Sequence, residues 1–448
     1  MNTAGTASLS SAPVKSAGAH GSNPGNSADE ASLAPGDIAV GVVIGRASEY
    51  FDFFVYGIAS VLVFPTVFFP FADRVEGTLY AFALFALAFV VRPVGTLAGM
   101  ALQRRFGRSA KLTVSLFLLG TSTVSMALLP GYASAGASAI ALLAACRIGQ
   151  GLALGGSWDG LPSLLAMNAP EKRRGWYAML GQLGAPLGFL VAAGVFAYLW
   201  SDLSDNDFLS WGWRYPFFAA FAINVVALFA RLRLVVTHEY ERELEAAELE
   251  PCDVRELFSS QGGNVFIGAF ATLASYALFH LVTIFPLSWV TIYAQQEIGG
   301  FLRVELIGAL LAGIAMPLSG LLADRIGRRS TLGLLAVAIG VFSLATPWLL
   351  GGDDLAQDAF ILVGFVLLGL SYGQSSGTVT ANFQPRLRYT GAALTADLAW
   401  LLGAAFAPLV ALGLSVHFGL GAVSLYLLSG AACTLIALRT NRVLSHRD

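Results

Sequence analysis

Seven ionisable residues lie inside long apolar stretches of this sequence or at their ends: Arg46, Glu49, Asp52, Arg92, Arg147, Asp159 and Asp397. A charge in hydrocarbon costs roughly 2.5–3.5 kcal/mol even on a lenient insertion scale, so such residues face a wet cavity or a partner. Arg46 and Glu49 are three apart and share a helix face. Glu49 is about 17 Å into its stretch at 1.5 Å per residue, near a bilayer midplane. Asp52 comes close behind, and Tyr56 follows Asp52 at the next turn. Two readings stay open. Either Glu49 or Asp52 takes up and releases a proton, or Arg46 and Glu49 neutralise each other and lock helix packing.

Arg92 and Arg147 have no acid three or four residues away. The planar guanidinium fork suits carboxylates. Each is a candidate anion-binding residue, with Tyr56 and Gln150 as companion substrate contacts, or half of an interhelical pair with an acid such as Glu49 or Asp52. His280 is either a proton relay or a cavity-facing polar group. Tyr276, Trp289, Tyr293 and Trp400 are candidate cavity aromatics.

These residues need elements to hold them, and composition says which. Of 448 residues 56% are hydrophobic and only 12% charged, with a mean hydropathy of +0.69. A soluble domain carries about 25% charged residues, so too few polar groups remain to cover a wet surface. Apolar stretches occur near 38–64, 78–102, 110–130, 137–158, 175–200 and 212–232, then near 263–290, 306–322, 330–350, 359–379, 390–413 and 418–438. Each suits a helix crossing a bilayer. The expectation is an all-α membrane protein of about twelve transmembrane helices, in six-helix bundles at 37–232 and 263–438. A charged connector at 233–262, broken at Pro251, joins them. Residues 1–36, rich in Ala, Ser and Gly, read as a disordered tail, and 439–448 as a second tail. Glycines in the fourth and fifth stretches (Gly149, Gly151, Gly155, Gly156, Gly181, Gly184 and Gly188) follow small-residue packing patterns, and Pro186 should bend the fifth.

Twenty of the 26 basic residues fall on one side of these spans; the other side keeps Arg74, Arg214 and Arg303. The excess marks the cytoplasmic face and puts both termini there. Asp159 and Asp397 then sit toward that face, where they read as gate residues. The loop after the second span reads RRFGRSAKL and that after the eighth reads DRIGRRSTL, with Gly107 and Gly327 half a chain apart. One loop recurring in each half is the mark of two parallel repeats that rock about a central site.

Other classes lack support. A net charge of −2 gives no basic excess for nucleic acid. Five scattered histidines and the widely spaced Cys146, Cys252 and Cys433 make no metal or disulfide framework. No phosphate loop or nucleophile constellation points to an enzyme, and no cofactor is expected.

The residues taken together resemble the major facilitator superfamily and, within it, the metabolite:proton symporters. The loop G-x-x-x-D-R-x-G-R-R stands from Gly320 to Arg329; E-Y-F-D-F-F-V-Y-G runs from Glu49 to Gly57; R-P-V-G runs from Arg92; R-I-G-Q-G-L-A-L-G-G runs from Arg147; R-Y-T-G opens at Arg388. Arg104 replaces the acid of the first loop copy, and Ser157, Met167 and Arg46 depart from the usual residues. The resemblance implies a monomer in a bacterial inner membrane. It implies proton-coupled uptake of a small carboxylate or zwitterion, with a proton-driven exporter as runner-up and a non-transporting sensor as a distant third. Gating falls to Asp324, Arg325, Gly327, Arg328 and Arg329, with Arg104 and Arg108 in the first copy. Asp324 should pack on a neighbouring helix end, and Arg104 should make the two gates unequal.

Overall fold

The computed structural model describes residues 35–158, 165, 169–235, 250–294, 296–376 and 383–440. Asp159, most of the expected tails and the centre of the expected connector lie outside the described residues. Backbone groups in lipid must be satisfied within the segment, which is why these apolar runs form helices. Among the described residues, eleven helical segments are long and apolar enough to cross a membrane by length and composition. The first helix, α1 (Pro35–Leu62), is 28 residues long. It falls short of that criterion only because every 18-residue stretch of it contains Arg46, Glu49 and Asp52.

The first half continues with α2 (Arg74–Phe106), α3 (Arg108–Ala127), α4 (Ala137–Gly156), α5 (Arg174–Asp202) and α6 (Tyr215–Val235). The second half comprises α7 (Val254–Tyr293), α8 (Ile298–Ile326), α9 (Arg328–Leu350), α10 (Asp354–Tyr372), α11 (Pro385–Phe418) and α12 (Leu420–Thr440). Helix α7 starts inside the stretch expected as connector and turns at Gln261, where φ is −135°. It breaks again at Thr272 and Ile284, the latter just before Pro286, which cannot continue a hydrogen-bonded helix. Helix α5 is interrupted between Leu180 and Gly184, and α11 carries a π-helical segment, Trp400–Ala405.

The repeated loop has one backbone solution in both halves. Gly107 (φ 86°) ends α2 and starts α3, and Gly327 (φ 84°) ends α8 and starts α9. A Cβ would meet nothing within 4 Å at Gly107, so glycine is needed there for its positive φ and not for space. At Gly99 the demand is opposite: a Cβ would come 2.7 Å from the Cα of Gly156. Helices α2 and α4 therefore pack backbone to backbone. Across the halves, α5 lies on α8, α2 on α11, and α1 on the last part of α7.

Candidate functional site

A cavity of about 30 Å³ lies between the halves, room for about two waters. From the first half it is lined by Arg46, Tyr50, Arg92 and Gln182, and from the second by Tyr276, Tyr372 and Trp400. Both cations are arginines, set among aromatic rings, an amide and small residues such as Ser375 and Ala392. The guanidinium of Arg46 lies 5.7 Å from the Trp158 ring and that of Arg92 5.8 Å from the Trp400 ring. The hydroxyls of Tyr50 and Tyr372 hydrogen-bond across the cavity.

Both ends are shut. Beyond the aromatic wall, Phe53, Phe54, Phe89, Phe279 and His280 form a plug; Trp400 stacks on Phe89 with centroids 5.5 Å apart, and His280 lies 4.9 Å from Phe53. His280 is fully buried, within reach of Thr283 Oγ1 at 3.3 Å, and off the cavity wall. Toward the repeated loops, Lys111 Nζ donates to Gln103 Oε1 and to the Tyr389 hydroxyl, each at 2.8 Å, and to the Trp158 carbonyl. Tyr389 belongs to the second half, so this knot ties the halves together.

Glu49 and Asp52 of α1 have different surroundings. Glu49 accepts from Arg46 Nη1 at 3.0 Å, from Arg231 Nη1 at 2.8 Å and from Ser157 Oγ at 3.1 Å. An acid at position 157 would face Glu49, so the serine suits this arrangement. Among the described residues Asp52 has no cation beside it. Its Oδ2 accepts from Asn224 Nδ2 at 2.6 Å and from Thr123 Oγ1 at 3.3 Å, and its Oδ1 has no partner among them.

Arg147, Tyr56 and Gln150 do not reach the cavity. Arg147 is fully buried, 4.0 Å from the Tyr56 ring centroid. It donates to the Phe85 carbonyl at 2.8 Å and to Gln150 Oε1 at 2.7 Å. Gln150 Nε2 donates in turn to Thr123, so these residues and Asp52 form one buried network. Arg147→Lys is expected to lower the melting temperature and leave substrate affinity unchanged, because one ammonium cannot hold both acceptors. Losing one charged hydrogen bond costs about 1.5–3 kcal/mol. Weaker binding at unchanged melting temperature would return Arg147 to the cavity.

Arg92 pairs with Asp397 of the second half, Nε to Oδ1 at 2.8 Å, and Asp397 Oδ2 accepts from Thr96 at 2.5 Å. At the repeated loop, Asp324 accepts from the backbone N–H groups of Gly175 at 2.6 Å and Trp176 at 3.2 Å, at the start of α5. Arg104 and Arg325 are exposed, Arg328 and Arg329 half-buried, and Arg108 pairs with Glu250 at 3.1 Å. Arg104 thus replaces the acid that makes the Asp324 hook, and the Gln103–Lys111–Tyr389 knot stands at that end of the first half. Asp324→Asn keeps one acceptor and turns an amide NH₂ toward the other N–H. Loss of a charge-assisted bond is worth about 1.5–3 kcal/mol, or roughly 10–150-fold in the balance between open and closed arrangements. Transport should fall with insertion and expression near normal; equal rates at matched protein levels would remove the gating role.

Sequence reasoning missed Arg231, Lys111, Asn224, Tyr389 and Thr96. Arg231 and Lys111 sit at span ends and count there as loop cations. Asn224, in the run AINVV, did offer a signal: a lone amide in an apolar span needs a partner.

A family profile described as Major Facilitator Superfamily matches residues 42–408. The inner membrane metabolite transport protein YhjE of Escherichia coli K12 is 39% identical over 418 residues, covering 92% of this chain and 95% of the relative. The shikimate transporter of the same organism is 30% identical, covering 89% and 92%. Among solved structures, the proton:xylose symporter XylE bound to 6-bromo-6-deoxy-D-glucose superposes with a TM-score of 0.70 at 18% identity, covering 90% of this chain and 94% of that one.

Proposed function

Given that the chain belongs to the major facilitator superfamily of multi-pass membrane transporters, we propose that it takes up a small organic anion together with protons by alternating access. The observation that carries this reading is the pair of arginines, Arg46 and Arg92, on an aromatic wall between the two halves. Guanidinium forks recognise carboxylates, and tyrosine and tryptophan rings pack on the apolar part of a small ring or chain. The shikimate transporter among the relatives handles a cargo of that kind.

Asp52 carries the coupled proton. It is 2% exposed and has no counter-cation among the described residues, whereas Glu49 is held between two guanidiniums. Protonation of Asp52 changes the charge of a network that runs through Thr123 and Gln150 to Arg147. The mechanism follows in three steps. Cargo settles on the arginines from one side; the Asp324 hook and the Lys111–Tyr389 knot let go; the halves rock and expose the cavity to the other side.

Both termini face the cytoplasm in this reading. Reporter fusions after residues 205 and 354 should read periplasmic and one after residue 245 cytoplasmic. A cytoplasmic signal at 205 would overturn the orientation.

The cargo class is tested by melting the purified protein with succinate, 2-oxoglutarate, shikimate or betaine, and with the matching amides. Binding to the folded state raises the melting temperature. A rise with a carboxylate and none with its amide supports the reading. A rise with a neutral sugar alone, at equal concentration, would overturn it.

A further inference from the structure

We propose that Arg92, Asp397 and Thr96 form a latch that the cargo itself releases. This rests on the reading that the cargo carries a carboxylate. Arg92 and Thr96 stand one turn apart on α2, and both hold Asp397 on α11. The three side chains are almost wholly buried, so the pair is little weakened by water. Because α2 and α11 belong to different halves, the halves cannot part here while the latch holds.

Three features suit a releasable latch and not a permanent clamp. Asp397 approaches Arg92 most closely at Nε, and among the described residues no hydrogen bond comes from the terminal Nη groups of Arg92. They stand at the cavity wall, open to a second carboxylate. A guanidinium has five N–H donors but a single positive charge, so an anion arriving at the fork competes with Asp397 for that charge. The Thr96 hydroxyl has a second acceptor ready, the Gly155 carbonyl at 3.3 Å, and is not stranded when Asp397 leaves. The π-helical segment of α11 begins at Trp400, three residues beyond Asp397. Such segments interrupt the regular helical ladder and give a helix a place to shift.

Among the described residues the groups facing Asp397 are Arg92 and Thr96 from α2 and, through space, Arg46 from α1. An anion bound among Arg46 and Arg92 therefore acts on both of these cations. Coupling follows from this placement. The empty carrier stays latched, and the loaded carrier opens.

The test uses the full-length protein in a cysteine-free background with Ala392→Cys, a buried cavity position on α11, and measures maleimide labelling. Asp397→Asn should raise labelling of the empty protein by about tenfold or more, the size of losing one charged pair. It should also tighten binding of succinate or shikimate, whichever binds the wild type, because Arg92 no longer shares its charge. Labelling should then cease to depend on that carboxylate. Thr96→Val keeps both charges and should show the same changes in smaller measure, which serves if Asp397→Asn does not fold. Unchanged labelling of the empty protein in both variants would overturn the latch. So would carboxylate binding that falls in Asp397→Asn as far as in Arg92→Ala. If no carboxylate binds the wild type, the proposed cargo class fails instead, while labelling of the empty protein still decides the latch.

Discussion

Replacing Asp52 by asparagine is expected to abolish uptake driven by a pH gradient while sparing counterflow exchange. The substitution is nearly isosteric. The amide oxygen can still accept from Asn224, now at 2.6 Å, and the Thr123 hydroxyl keeps the Leu119 carbonyl as an acceptor. Packing of α1 against α3 and α6 is therefore retained, and the melting temperature should move little. What disappears is the carboxylate charge at Asp52 that a proton can cancel. Counterflow exchanges one cargo molecule for another with no net proton movement, so it survives the loss. Uptake should lose its dependence on external pH altogether, where the wild type gains as the outside is acidified. Loss of counterflow together with a fall in stability would make Asp52 structural.

Glu49→Gln should behave in the opposite way. Glu49 is 7% exposed and its single charge is shared between Arg46 and Arg231. Removing its charge leaves two guanidiniums facing each other in a low-dielectric interior. Taking one partner from a buried ion pair costs about 3–5 kcal/mol, the largest stability effect expected in the first half. Adding Arg231→Gln should recover part of that loss, because the surplus cation goes with it; a double-mutant cycle on melting temperatures measures the recovery. If Glu49→Gln melts like the wild type and instead loses coupling, Glu49 and Asp52 exchange roles.

That division of labour shows how far the sequence reaches. The spans were legible because hydrocarbon admits so few backbone solutions. The repeated loop was legible because positive φ at Gly107 and Gly327 leaves little choice of residue. Within one helix, spacing also worked: Arg46 and Glu49 share a face and do pair. Contacts between helices were beyond that logic. Nothing in the periodicity of α2 or α11 brings Arg92 to Asp397, or Arg231 of α6 to Glu49. Arg92 and Arg147 looked alike, each an arginine deep in an apolar run. The structure separates them by one fact of packing: α4 lies so tightly on α2 that Arg147 turns onto Tyr56 and the Phe85 carbonyl, away from the cavity. Of the irregular points in α7 one was legible, since Pro286 marks the break at Ile284 and nothing marks Gln261 or Thr272. The π-helical segment of α11 left no trace in residue type.

The arrangement also accounts for unequal ends. At the repeated loops the second half holds by a carboxylate on backbone N–H groups, and the first by a buried lysine on a tyrosine of the opposite half. The two hooks differ in chemistry, so they need not release together. Arg104, exposed where the loop's counterpart carries Asp324, is the visible sign of that difference.

Proton-coupled carriage of an organic anion is tested most directly by loading proteoliposomes of the purified protein with alkaline buffer, acidifying the outside, and following a radiolabelled carboxylate chosen by the melting panel. The carboxylate should accumulate above its outside concentration, lose that excess when a protonophore is added, and be displaced by other carboxylates but not by their amides. Entry that stops at the outside concentration whatever the gradient, or accumulation of a neutral sugar in place of any carboxylate, would contradict it.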